Sequence, residues 1–95
     1  MYKIIIFGTG LYGKQALQFF TRENVMFWTD NKEDLHGKLI EGIEVIPPSE
    51  LKKYLNECVI VIAAKPEFFN QIKYQLNKEY GIDCLLYTSP SPRDA

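Results

Sequence analysis

At 95 residues the chain has room for one small domain, and its 46% hydrophobic content is that of an ordinary globular protein, which excludes disorder as its main state. Eleven Lys and Arg against twelve Asp and Glu give a net charge of −1. They form no basic stripe, so the sequence predicts no nucleic-acid partner, and no apolar run is long enough to span a bilayer.

The chain opens on a core-like strand. Lys3 to Lys14 reads K-I-I-I-F-G-T-G-L-Y-G-K, an apolar run of the kind that is covered on both faces, leading into Gly8-x-Gly10-x-x-Gly13. In such a loop Gly8 permits the tight turn out of the strand, Gly10 lets backbone amides approach a pyrophosphate, and Gly13 lets the following helix pack near the sheet. Aligned amides and the positive end of the helix dipole favour an anion there. Met1 stands directly before this strand with no charged-then-apolar leader, which predicts a cytoplasmic protein.

A helix follows from about Leu11 to Arg22, with Tyr12, Ala16, Phe19 and Phe20 at helical spacing and Asn24 placed to end it. Val25 to Thr29 makes a second strand that closes at Asp30-Asn31. Trp28 and the Phe19-Phe20 pair are expected in the core. Lys32 to Gly42 is polar and reads as a connection, with His36 a surface residue; a short strand over Ile43 to Ile46 then stops at Pro47-Pro48. A short helix is expected from about Ser49 through Leu55, then a strand over Val59 to Ala63. Pro66 starts a second long helix, in which Phe69, Ile72, Leu76 and Tyr80 share a face and Gly81 supplies the stop. Ile82 is expected to begin another strand. There is no internal repeat.

Alternating strands and helices imply an α/β fold: a Rossmann-like, mostly parallel sheet with helices on both faces. Ligands of such sheets bind beyond the carboxyl ends of the strands, where strand order reverses. The expected site therefore gathers the loop Gly8, Thr9, Gly10, Leu11, Tyr12 and Gly13, the turn Asp30 and Asn31, and Lys65 after the third long strand. Asp30 lies 22 residues after Gly8 and 17 after Gly13, near the offset at which dinucleotide-binding units place a ribose-binding acid. Asp-Asn is equally an ordinary way to end a strand. Lys14 reads as a solvated lysine. Cys58 opens an apolar strand as a small hydrophobe, and neither it nor Cys84 implies a disulfide or a metal site. No nucleophile elbow, metal-spaced Cys-His set or G-K-[ST] phosphate loop is present, and no catalytic residues are identifiable.

Cys84 to Asp94, C-L-L-Y-T-S-P-S-P-R-D, resembles the translation of a transposon end and adapter used in short-read sequencing. On that resemblance residues 84–95 are a tail of non-native origin. Residues 1–83 are then the truncated amino-terminal domain of a longer protein.

The glycine loop, the second strand closing in T-D-N, the stretch from Gly37-Lys38 to Ile46-Pro47 and the following Ser49-Glu50-Leu51 together resemble a bacterial module. It is the amino-terminal Rossmann-like module of surface-polysaccharide enzymes, similar across sugar acyltransferases, nucleotide-sugar epimerases and dehydratases, and FkbM-type methyltransferases. The resemblance implies NAD(P) or a nucleotide-sugar as ligand, bound at Gly8, Thr9, Gly10, Gly13 and the Asp30 turn, and a catalytic domain lying beyond Asp83. The acyltransferase loop usually reads G-G-H-G; here Tyr12 stands at the histidine position and Leu11 replaces a glycine. Three functions follow: a nucleotide or nucleotide-sugar binding module of a larger glycan-biosynthesis enzyme, the NAD(P)-binding half of an oxidoreductase or epimerase, or a ligand-free interaction domain.

Overall fold

The computed structural model describes residues 3–82. Five strands, β1 (Lys3–Phe7), β2 (Val25–Thr29), β3 (Leu39–Ile40), β4 (Ile43–Ile46) and β5 (Cys58–Ile62), alternate with two helices, α1 (Leu11–Phe20) and α2 (Pro66–Tyr80). The strands form one sheet in the order β3-β4-β2-β1-β5. β4, β2, β1 and β5 run parallel, with β1 pairing β2 on one side and β5 on the other. The edge strand β3 is antiparallel to β4. This is the Rossmann-like α/β sheet that the alternation of elements predicts, with the reversal of strand order at β1 and β5.

Side chains alternate across the sheet and build a core on each face. Ile5, Phe7, Ile60 and Ile62 meet Leu76 of α2 and Leu51 of a 3-10 helix, Pro48–Tyr54. Ile6, Val25, Trp28 and Val45 meet Ala16 and Leu17 of α1. Helices thus cover both faces. Within the stripe expected on α2, Leu76 is fully buried, and Phe69, Ile72 and Tyr80 pack around it. Gly81 ends that helix in the left-handed region (φ 66°), where its N–H donates to the Asn77 carbonyl and that of Ile82 to Leu76.

Three local expectations are corrected. Helix α1 stops at Phe20, two residues before Arg22, because Thr21 turns the chain (φ 69°); the Asn24 Nδ2 group then donates back to the Phe20 carbonyl (2.8 Å). Phe19 is 74% exposed and outside the core, although its ring packs edge-on against the half-buried Phe20. The connection before β4 holds a short 3-10 helix, Glu33–Leu35, and strand β3, which Glu41 and Gly42 fold back onto β4 with φ values of 55° and 80°. The strand expected to begin at Ile82 would run beyond that residue, and this continuation and the tail 84–95 lie outside the described residues.

Candidate functional site

The carboxyl ends of β1, β2 and β5 bring together the glycine loop, the Asp30 turn and the Ala64–Pro66 connection. Gly8 takes φ +119°, a conformation that L side chains rarely adopt, and a Cβ there would stand 2.5 Å from the Ala63 carbonyl oxygen. At Gly13 a Cβ would collide with the carbonyl of Gly8 and crowd the ring of Trp28. These two glycines are required by the packing of strand against strand and helix against loop. Gly10 differs: its φ is −83°, and a Cβ would meet nothing within 4 Å.

Gly10 is also the N-cap of α1, whose first turn has no side-chain cap and no acidic residue. Leu11 is exposed, Tyr12 is half-buried against the α1-side core, and Lys14 is exposed. Lys65 is exposed at the N-cap of α2.

Asp30 is the hinge pin of the site. Its Oδ2 accepts from the backbone N–H (3.1 Å) and the hydroxyl (2.9 Å) of Thr9, while its Oδ1 accepts from the backbone N–H of Lys32 (3.1 Å). The carboxylate therefore closes its own turn and at the same time fixes the glycine loop. An ionised carboxylate offers about four lone-pair sites, so room for roughly one further donor is left, on Oδ1. The carbonyl of Asp30 accepts from His36 Nε2–H (2.7 Å), which makes His36 a half-buried brace of this turn and not the surface residue that the sequence predicts. Thr29, just before, is fully buried, and its hydroxyl has no hydrogen-bond partner.

Beside the loop lies a cleft of about 420 Å³ lined by Phe7, Gly8 and Asp30 together with Ala64, Phe68 and Ile72. Asn31 closes its rim by pairing with Gln75 of α2 through two hydrogen bonds, Nδ2–H to Oε1 (3.0 Å) and Nε2–H to Oδ1 (2.8 Å). Phe68, Gln71 and Gln75 were missed at the sequence level. They lie beside the buried stripe of α2, and only the placement of that helix turns them toward the loop. Among the described residues no group of His, Cys, Asp or Glu is placed to hold a metal ion, and no helix is long and apolar enough to cross a membrane.

Residues 1–85 match the family model described as C2185-like, N-terminal. No curated protein matches the sequence. Among solved structures the chain is similar to RSP, a Rex-family repressor (TM-score 0.62, 19% identity), over 86% of this chain and 42% of that one. It is likewise similar to UDP-D-quinovosamine 4-dehydrogenase from Vibrio fischeri (TM-score 0.62, 20% identity), over 81% of this chain and 70% of that one. RSP has also been solved in complex with β-NAD+ and operator DNA (TM-score 0.62, 20% identity, 86% of this chain and 41% of that one). The likeness at these identities is one of fold, and the chain spans about two fifths of the RSP repressor.

Proposed function

The chain belongs to the C2185-like N-terminal family, and from that premise we propose that it is a nucleotide- or nucleotide-sugar-binding module. The observation that carries this reading is Gly10. A glycine at an unstrained φ, with open space where its side chain would be, answers no steric need of the fold. It stands where the uncapped amides of α1 face the carboxyl end of the sheet, and a diphosphate approaching those amides would use that space. Asp30 holds the loop ready and keeps one acceptor site for a ribose hydroxyl.

In this reading residues 1–83 are the binding domain of a larger, cytoplasmic glycan-biosynthesis enzyme whose catalytic part lies elsewhere, and residues 84–95 are the adapter-derived tail. The site consists of Gly8, Thr9, Gly10, Leu11, Tyr12 and Gly13 with Asp30, Asn31 and Lys65. A second reading, the NAD(P)-binding half of an oxidoreductase or epimerase, is favoured by the acid at the end of β2 and by the NAD+ and NADH complexes of RSP.

Calorimetric titration of the chain with NAD, NADP and a UDP-sugar tests both. Binding of the UDP-sugar, abolished by Gly10→Val, supports the first reading; NAD binding with NADP rejected supports the second, because the Asp30 carboxylate opposes a ribose phosphate at contact distance. No binding of any of the three overturns both and leaves the interaction-domain reading.

A further inference from the structure

The paired carboxamides of Asn31 and Gln75 stand on the boundary between two clefts. Both residues line the 420 Å³ cleft beside the glycine loop, and both line a second cleft of about 580 Å³. The second cleft lies toward β4, among His36, Pro48, Ser49 and Tyr80. The pair is solvent-exposed, so as a tether it contributes little. Helix α2 is already anchored by the neighbouring Leu76, which is fully buried.

The lining of the first cleft suits a flat, mostly apolar ring with a polar edge. Ala64, Phe68 and Ile72 supply apolar surface, and Phe68 is left 45% exposed at its mouth. The rim carries three carboxamides, those of Asn31, Gln71 and Gln75. A carboxamide offers a donor beside an acceptor, and in the free protein Asn31 and Gln75 satisfy each other in that bidentate pattern. A nucleobase edge offers the same pattern: N6–H beside N1 or N7 in adenine, N3–H beside O4 in uracil. Replacing one amide by a base edge therefore conserves the hydrogen-bond count, and the second cleft gives the displaced amide room to swing.

Resting on the proposed nucleotide site, we propose that the Asn31–Gln75 pair is a nucleobase-reading latch, which opens so that a carboxamide pairs with the edge of a base seated in the Phe68 slot.

The test is an NMR titration of the full chain, wild type, Asn31→Ala and Gln75→Ala, with AMP, UMP and ribose 5-phosphate, which share one phosphate and differ only in the base. In the wild type the nucleotide whose base fits should bind more tightly than ribose 5-phosphate and shift the side-chain amide resonances of Asn31 and Gln75. Each variant should lose about three- to tenfold of that advantage, the worth of one neutral hydrogen bond or a little more, and Gln75→Ala, which lies outside the residues proposed to hold phosphate and ribose, should leave ribose 5-phosphate binding unchanged. AMP and UMP as separate arms identify the base. Unchanged ratios in both variants, or equal weakening of all three ligands in Gln75→Ala, overturns the latch and leaves the nucleotide site standing. Failure of the wild type to bind any of the three overturns the site and the latch together.

Discussion

A Cβ added at Gly13 would run into the Gly8 carbonyl, whereas one at Gly10 would meet nothing within 4 Å. The two positions are therefore expected to respond in opposite ways. Gly13→Ala should cost about 1–3 kcal/mol of stability or more, since backbone is what has to shift. Gly10→Val should cost about 1 kcal/mol or less, most of it from a poorer N-cap, and should abolish nucleotide binding. Urea denaturation beside calorimetry separates the two effects, and equal nucleotide affinity in wild type and Gly10→Val would show that this loop is not the anion site. Asp30 is different again, because three donors of the protein converge on its carboxylate. Asp30→Ala should lower affinity for ligands with an unphosphorylated ribose by about ten- to a hundredfold, corresponding to roughly 1.5–3 kcal/mol, since the loop loses its anchor along with the proposed ribose acceptor. Thr9→Val removes the hydroxyl bond and keeps the backbone one. It should cost only about 1 kcal/mol, read from the same denaturation curves.

Among the elements, α2 does most to shape the site while being the least evident part of it. Its buried stripe, from Phe69 to Tyr80, is visible as a 3.6-residue period, and so is its stop at Gly81. The consequence is that Phe68 and Gln75, one position before Phe69 and Leu76, are turned to the cleft. Leu76→Ala should destabilise the fold by about 2–5 kcal/mol, a large share of the stability of a domain this small, and the midpoint of urea unfolding measures it. Helix α1 shows the limits of periodicity. Gly13, Ala16 and Leu17 are buried, and Phe19, at the same helical spacing, is left on the solvent shoulder. A period gives the direction of a face and not its width, which depends on how closely the helix approaches the sheet. The β3–β4 hairpin escaped for another reason. Its turn is Glu41-Gly42, with both φ values positive, and Glu lacks the signal that Asn or Asp gives at such a turn.

For the molecule as a whole, Cys58 reports on global opening, since its thiol is buried at the start of β5 against Met26. Burial pushes the thiol above its ordinary value of 9.0, with the charge of Glu57 adding to the effect and Lys3 opposing it. As pH rises past 9.0 the unfolded chain releases this proton first, so the stabilisation is complete below 9.0 and is lost as pH climbs through the folded value. Iodoacetamide should therefore modify Cys58 slowly at pH 8, at a rate that rises with urea in step with unfolding. Fast modification at Cys58 in the native protein, resolved from Cys84 by peptide mass mapping, would place the thiol at the surface.

The four parallel strands, the two long helices and the glycine loop were legible in the sequence because each depends on neighbours a few residues away: an apolar run, a helical period, a glycine at a turn. The parallel sheet followed from their alternation. What only the tertiary structure decided is which groups face one another across the carboxyl end of that sheet. Thr9 and Asp30 are 21 residues apart, and Asn31 and Gln75 are 44 apart. No local pattern encodes such pairs, because they exist only after β1, β2 and α2 have packed. The same packing separates the glycines, making Gly8 and Gly13 necessary to the fold and leaving Gly10 free of it, a distinction that the spacing of the motif does not contain.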